Sequence, residues 1–259
     1  MKLYIITGTT RGLGRAFAEA VASDPRNRLV TVDRHDAGGV TGDGVLTHLK
    51  IDLANPESIP GIIAGFFRNL NRVSAGSPES GLNDYEKIIL INNAGMLDPV
   101  KPLGDCPPGD LIRNITVNLI APAVLINEFI RHTDVCDGRR EIITISSGAA
   151  RHPHAGWSAY CSTKTALEML CRVVHTESET LTGRKNLKQW TVAPGVVDTG
   201  MQTQIRETPA KDFAEVERFI KLKADGRLAS PETTAAAILA VEASDRAENG
   251  ANHDIRDFS

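Results

Sequence analysis

Cysteine is sparse and poorly spaced for chemistry: Cys106, Cys136, Cys161 and Cys171 are scattered along 259 residues with no C-x-x-C pair. That spacing argues against a disulfide framework or a thiolate zinc site and fits reduced thiols in a cytoplasmic protein. Positive charge is no richer. The 29 Lys and Arg against 32 Asp and Glu leave a net charge of −3, without a basic cluster, so nucleic acid is not an expected partner. Uninterrupted apolar runs fall well short of the roughly 18 residues of a membrane span, so no membrane association is expected. The first strand-like run starts at Lys2, leaving no room for a secretory leader. Repeats and low-complexity tracts are also missing. What remains is 41% hydrophobic and 24% charged, the composition of a globule able to bury a full core.

The chain alternates strand-like and helix-like stretches. Lys2 to Thr7 is a short β-branched and aromatic run, followed at once by Gly8-Thr9-Thr10-Arg11-Gly12-Leu13-Gly14 and a helical stretch to Ala22. Strand, glycine-rich turn and helix in that order mark a dinucleotide site, with the pyrophosphate on the helix N-terminus. A second strand, Arg28 to Asp33, ends in an acid placed to take the ribose 2′-hydroxyl of NAD. Arg34 and Arg11 could instead clamp a 2′-phosphate. A carboxylate at Asp33 would oppose that phosphate, which tips this reading to NAD(H).

Val45 to Ile51 reads as a third strand closed by Asp52-Leu53, and Pro56 to Asn71 as a helix. The Ser, Gly, Pro and Asn of 72–84 read as a surface loop. Lys87 to Ile91 is a continuous apolar strand, as expected when both faces are covered, and it runs into Asn92-Asn93-Ala94-Gly95. Small residues there allow close approach to an adenosine, with an Asn amide bonding across strands. Two helices, Pro108 to His132 and Ser158 to about Leu181, are apolar on more than one side. Such helices need cover on both sides, so a homo-oligomer (dimer or tetramer) built on them is expected. Asn118 is out of place in mid-helix. Leu187 to Ala193 is a sixth strand, stopping at Pro194-Gly195-Val196-Val197-Asp198-Thr199, and 200–225 reads as a small helical segment folding over a pocket. Ser230-Pro231-Glu232 starts a further helix. A short last strand is expected at Ala251 to Ile255. Together these predict an α/β fold: one domain over 1–259, a doubly wound parallel sheet of about seven strands with helices on both faces.

The stretch from Ser147 to Lys164 carries the chemistry. A serine closes the apolar strand Glu141 to Ser147, and a helix capped at Ser158 sets Tyr160 and Lys164 one turn apart on one face. A free phenol has a pKa of about 10, too high for efficient proton transfer at neutral pH. An ammonium about 4 Å away, at an effective dielectric near 20, would lower it by about 3 pKa units. Tyr-x-x-x-Lys alone also occurs in ordinary amphipathic helices. Its setting is what counts: Gly8, Asp33, Asp52, Asn93, Ser147 and Pro194 all fall at or just past predicted strand ends, where ligands of such sheets bind.

Across nearly its whole length the chain resembles a short-chain dehydrogenase/reductase. The matching pieces are Thr7-Gly8-xxx-Gly12-x-Gly14, Asp52, Asn92-Asn93-Ala94-Gly95, Asn118, Ser147, Tyr160-xxx-Lys164 and Pro194-Gly195-xxx-Thr199. The resemblance implies an NAD(P)(H) enzyme in which Tyr160 is the proton donor or acceptor. Lys164 would lower the Tyr160 pKa and hold the nicotinamide ribose, while Ser147 binds the substrate oxygen and Asn118 positions a water. Thr199 and the backbone near Val197 would hold the carboxamide; Asp52, Leu53, Asn93, Ala94 and Gly95 would meet the adenosine end.

More narrowly, Ser146 to Ala150 with Gly156 to Lys164, and Ala193 to Arg206, resemble carbonyl reductases related to sepiapterin reductase, especially bacterial benzil reductases. Those relatives generally use NADPH, against the reading of Asp33. Trp157, Met96, Val196 and Met201 are candidate substrate lining, suited to a small apolar carbonyl compound. His152 and His154 have no third ligand in view, so no metal is expected. An alcohol dehydrogenase running in the oxidising direction with NAD, or a dinucleotide sensor without turnover, are the competing readings.

Overall fold

The computed structural model describes residues 1–35, 40, 44–72 and 81–258. Most of the stretch read as a loop over 72–84 lies outside the described residues. Seven strands form one parallel sheet: β1 (Lys2–Thr7), β2 (Asn27–Asp33), β3 (Val45–Lys50), β4 (Lys87–Asn92), β5 (Arg139–Ile145), β6 (Leu187–Ala193) and β7 (Asn252–Asp254). Their order is β3-β2-β1-β4-β5-β6-β7. The order reverses between β1 and β4, and a ligand crevice opens at such a switch point, beyond the carboxyl ends of the strands.

Alternation along the strands sorts the core into two layers. Leu3 and Ile5 face one cluster with Phe66 and Phe67 of α2 (Ile59–Arg72), Leu125 and Phe129 of α4 (Ala121–Thr133) and Cys171 of α5 (Ser158–Glu177). Tyr4 and Ile6 point the other way, toward Phe17 of α1 (Gly12–Ala22) and Ile238 of α8 (Pro231–Ala243). Every residue of β4 is buried, as its unbroken apolar run predicted. Ser230 caps α8 as expected, its hydroxyl accepting from the Thr233 N–H at 3.1 Å. Between α5 and α8 lie the short helices α6 (Gly200–Glu207) and α7 (Val216–Ala224).

At the amino ends of the strands, far from the switch point, Lys87 is buried between the carboxylates of Glu141 and Glu242. Tyr4 Oη donates to Glu242 at 2.9 Å, and Trp190 Nε1 donates to Glu141 at 2.5 Å. A buried cation is tolerable there because it is paired and its partners accept further hydrogen bonds.

Several boundaries differ from the sequence reading. β5 ends at Ile145, so Ser146 and Ser147 lie just past it. α5 is not capped by Ser158: Trp157 is the N-cap residue, its carbonyl accepting from the Cys161 N–H, and no side chain caps the end. α5 stops at Glu177 and continues as one π turn, Ser178–Thr182. The expected helix over 108–132 is α3 (Pro108–Ile115), a π turn (Thr116–Ile120) and α4. Taken as one 26-residue piece, Pro108–Thr133 is long and apolar enough, by length and composition alone, to cross a bilayer. Its apolar residues surround the axis with Asn and Thr between them, so they form no uninterrupted run of that length. One side lies on the sheet, while Ile112, Ile115 and Ile120 are exposed.

Candidate active site

The glycine loop is held by side chains from three strand ends. Thr7 Oγ1 accepts from the backbone N–H of both Asn93 and Ala94 at 3.0 Å. Asn93 Nδ2 donates to the carbonyls of Thr7 (2.9 Å) and Gly8 (3.3 Å), the cross-strand bond anticipated for this motif. Glycine is required on steric grounds. A Cβ on Gly14 would collide with the Gly8 carbonyl and the Asn93 amide, and one on Gly8 would stand 2.9 Å from Ala94 Cα. Gly8 and Gly12 also have φ of +74° and +57°, a region costly for other residues. The N-terminus of α1 has neither a side-chain cap nor an acidic residue in its first turn. Its free N–H groups suit an anion. A Cβ on Gly12 would lie 3.3 Å from Thr199 Cγ2, so the loop closes toward the Pro194–Thr199 segment. The cavity of about 390 Å³ next to this contact runs instead along α1 to the start of α8, past Arg15, Glu19, Pro231 and Glu232, and is not lined by Gly8, Asn93 or Tyr160. The close-approach cradle of the glycine loop, with open N–H groups, fits the pyrophosphate of a dinucleotide.

Asp33 occupies an unexpected place. Its carboxylate is buried and accepts from the Thr9 N–H at 2.7 Å and from Thr9 Oγ1 at 2.5 Å, one bond to each oxygen. It braces the loop from the end of β2. Arg34, next to it in sequence, and Arg11, in the glycine loop, are exposed. Asp52 is exposed at the end of β3, where its Oδ1 accepts from the Ala54 N–H, and Leu53 is buried in the core.

On the other side of the switch point the four expected catalytic residues converge. Ser147, just past β5, lies close enough to the Tyr160 hydroxyl to act on its titration, and its Oγ accepts from the Ala149 N–H at 3.2 Å. Ser146 points away, donating to Glu168 at 2.6 Å, so the structure separates two adjacent serines. Lys164 Nζ donates to the Ile145 carbonyl at 2.8 Å and lies 5.8 Å from the centre of the Tyr160 ring. Asn118 sits in the π turn, a distortion frequent at functional sites. Its Oδ1 accepts from the Met96 N–H at 2.9 Å, while Nδ2 donates to the Met96 carbonyl (2.8 Å) and Asn114 Oδ1 (2.9 Å). A Cβ on Gly95 would reach within 3.2 Å of Asn118 Oδ1 and 3.7 Å of Lys164 Nζ; only glycine leaves that approach open.

Electrostatics here runs against one expectation. Burial pushes the Tyr160 hydroxyl above the ordinary phenol value, and Ser147 pulls it part of the way back. The Lys164 ammonium is itself desolvated, to a pKa of about 8, with Glu168 acting in the opposite direction. The anticipated lowering of Tyr160 by Lys164 is therefore not seen in this structure, because removing the hydroxyl from water dominates.

Above Tyr160 lies a third apolar cluster: Leu97, Val100, Ala149, Trp157, Ile205, Phe213, Val216 and Phe219, with Val196 and Met201 packed against it. Trp157 stacks on Phe213 at 4.7 Å and meets Tyr160 edge-on at 5.8 Å. His154 Nδ1 pairs with Glu215 Oε1 at 2.5 Å. Three of the proposed lining residues (Trp157, Val196, Met201) thus come together beside Tyr160, whereas Met96 serves mainly as the backbone anchor of Asn118. Sequence reasoning missed Thr9, Asn114, Phe213 and Glu168. Asn114 Nδ2 donates to the Leu97 carbonyl at 3.2 Å and the Asp98 carbonyl at 2.6 Å. Its position one helical turn before Asn118 was the available signal.

A family model described as short chain dehydrogenase matches residues 82–210. The chain is 36% identical over 259 residues to benzil reductase ((S)-benzoin forming) of Bacillus subtilis (strain 168), covering 100% of both proteins. It is 29% identical over 267 residues to sepiapterin reductase of Meriones unguiculatus, covering 98% of this chain and 95% of that one. Among solved structures, the KRED1-Pglu enzyme superposes with a TM-score of 0.76 at 26% identity, covering 97% of this chain and 100% of that one. The chain belongs to the short-chain dehydrogenase/reductase family, whose members generally use NAD(P)(H), and is an oxidoreductase acting on carbonyl or alcohol groups.

Proposed function

We propose that this protein is an NADPH-dependent reductase of apolar ketones or diketones, with Tyr160 as the general acid. The observation that carries the reading is the buried Tyr160 hydroxyl, beside Ser147 and roofed by apolar side chains. A raised pKa keeps that phenol protonated at neutral pH, which is the form a reduction needs and an oxidation does not. When bound, the coenzyme supplies a hydride to the carbonyl carbon. Ser147 holds the carbonyl oxygen, and Tyr160 passes its proton to that oxygen as negative charge develops on it. Lys164, still cationic at pH 7, steadies the phenolate that Tyr160 leaves behind. Asn118 fixes the Met96 backbone beside them and positions a water for proton resupply.

Gly8, Thr10, Arg11, Gly12, Leu13 and Gly14 would hold the pyrophosphate, with Asp52, Leu53, Asn93, Ala94 and Gly95 toward the adenosine. Pro194, Gly195, Val197 and Thr199, with Tyr160 and Lys164, would hold the nicotinamide end. Preference for NADPH is supported by the place of Asp33. Each of its oxygens already accepts from Thr9, which makes it a brace more than a ribose ligand, and Arg11 and Arg34 are exposed for a 2′-phosphate. One charge-assisted pair to phosphate is worth about 1.5–3 kcal/mol, or roughly 10–100-fold in affinity. NADPH should therefore bind at least about tenfold tighter than NADH, and Arg34→Ala should erase most of the difference. Titrating both coenzymes, with loss of nicotinamide absorbance on adding an apolar diketone, checks the reading. Tighter NADH binding would reverse the coenzyme assignment, and a diketone panel without turnover would leave a dinucleotide sensor.

The 200–225 segment acts in this reading as the substrate flap. The uncovered faces of α3–α4 and α5, where Ile112, Ile120, Met169 and Val173 are exposed, meet a second copy. Light scattering at micromolar concentration should give a dimer or tetramer; a strict monomer rejects that part.

A further inference from the structure

We infer that Glu168 is a positioning residue for this site, supplying the buried negative charge that faces Lys164 and tying the C-terminal strand to the catalytic strand end. The inference rests on the reading of Tyr160 and Lys164 as the acid and its supporting cation. Glu168 stands one helical turn beyond Lys164, as Lys164 stands beyond Tyr160, so the three side chains lie in a row along α5. It is buried. Oε1 accepts from Ser146 Oγ at 2.6 Å, and Oε2 accepts from Asn252 Nδ2 at 3.1 Å. A carboxylate can only accept, and both neighbours present donors. Asn252 is fixed in turn by Thr191 Oγ1, which donates to its Oδ1 at 2.9 Å.

One carboxylate thus joins the residue adjacent to Ser147, the helix of Tyr160 and Lys164, and β7. Such an arrangement has an electrostatic consequence. Desolvation works against the Lys164 ammonium, and the Glu168 charge works for it. Several other charged or titratable groups surround this carboxylate. Arg151, from the loop after β5, brings Nη2 to 3.8 Å from Oε1 and is partly exposed. Cys171 lies on the same helix and is pushed up by burial and by Glu168. Asp254 of β7 shares the field of Arg151. Lys164 itself lies one turn from Tyr160 and from Glu168 on α5, donates to the Ile145 carbonyl at the end of β5, and approaches Gly95 as Asn118 does from the π turn.

Glu168→Gln is the informative change. Gln can still accept from Ser146, and the Asn252 amide can turn to match the new NH₂ while it donates to Thr191. Shape and hydrogen bonds survive, but the charge does not. The alkaline limb of the kcat–pH profile, measured with NADPH and an apolar diketone, should then move about one unit or more toward acid. At pH 6 turnover should stay within about twofold of wild type; at the wild-type midpoint it should fall about tenfold.

Glu168→Asp, which keeps the charge, should leave the limb near its wild-type position. Arg151→Gln removes a competing cation at a partly exposed site, so its limb should move the opposite way, by a few tenths of a unit. That variant keeps the test alive should Glu168→Gln not fold. A second readout needs neither coenzyme nor substrate. Lys164 is lowered from 10.5 to about 8 on folding, so the ligand-free protein gains stability as pH rises from about 8 toward 10.5. In Glu168→Gln that gain should begin at lower pH in urea titrations.

Uniform loss of turnover at every pH, with the limb and the stability inflection unmoved, would make Glu168 merely structural and overturn the inference. A wild type that turns over without any alkaline limb removes the role of Lys164 first, and the Glu168 role with it.

Discussion

Tyr160→Phe should lower kcat for carbonyl reduction by about a thousandfold or more, while the dissociation constant for the coenzyme changes by less than about twofold. The substitution deletes one oxygen and keeps the ring, so the edge-on packing against Trp157 at 5.8 Å is retained. What disappears is the phenolic hydroxyl that the apolar cluster buries beside Ser147. Because the loss concerns a group acting in the transition state, kcat and kcat/KM should fall together. Ser147→Ala, by contrast, should cost roughly a hundredfold, since one of two groups on the carbonyl oxygen remains. Stopped-flow single-turnover measurements separate chemistry from coenzyme release. Turnover of Tyr160→Phe near the wild-type rate would remove Tyr160 from the mechanism.

Lys164→Met should have two opposite effects in one variant. Turnover should fall by roughly 10²–10³-fold, because the positive charge that steadies the phenolate is gone. The ligand-free protein, however, should become more stable at pH 7. The sign follows from the titration. The Lys164 pKa is lowered on folding from 10.5 to about 8, so below pH 8 the lysine is charged in both states and only the folded state bears the desolvation. That burden is roughly 3 kcal/mol, set by about 1.4 kcal/mol per pKa unit. Loss of the hydrogen bond to the Ile145 carbonyl, 2.8 Å in wild type, offsets part of it by about 1 kcal/mol. A net gain of about 1–3 kcal/mol remains at neutral pH. The advantage should shrink as pH rises from about 8 to 10.5, where the wild-type lysine sheds its proton and its burden. Urea unfolding of both proteins at pH 7 and pH 10 measures this directly. A variant less stable than wild type at pH 7 would mean that the fold does not hold an energetically costly cation at this position.

The second prediction assigns a cost in stability to a catalytic arrangement. The same tension recurs around the flap. Trp157 is buried with an indole N–H that has no protein partner, although its ring stacks on Phe213 and meets Tyr160 edge-on. A buried donor without a partner costs about 1–3 kcal/mol, and here it stands at the wall of the proposed carbonyl pocket. The flap is fastened at its other edge by His154 and Glu215, with Arg218 Nη1 2.8 Å from the same carboxylate. His154 is thereby engaged by a carboxylate from the flap.

Much of this molecule is written locally. The spans of β1 and β6, the unbroken burial of β4, the cap of α8 and the strand–glycine–helix unit at the N-terminus all follow from short-range pattern. Each depends on periodicity or on steric rules that act within a few residues, and the recurrence of loops at strand ends identified one cleft. The Tyr160–Lys164 spacing was equally local, since one helical turn fixes it. Tertiary structure alone decided what those residues experience. Asp33 reads as a ribose ligand, and only the fold brings Thr9 to donate to each of its oxygens; Glu168 reads as an ordinary helical acid until Ser146 and Asn252 converge on it. Tyr160 looks like a phenol with a lowered pKa until the flap removes its water. Desolvation and long-range hydrogen bonds depend on which distant segments arrive at a point in space, and no local spacing encodes that.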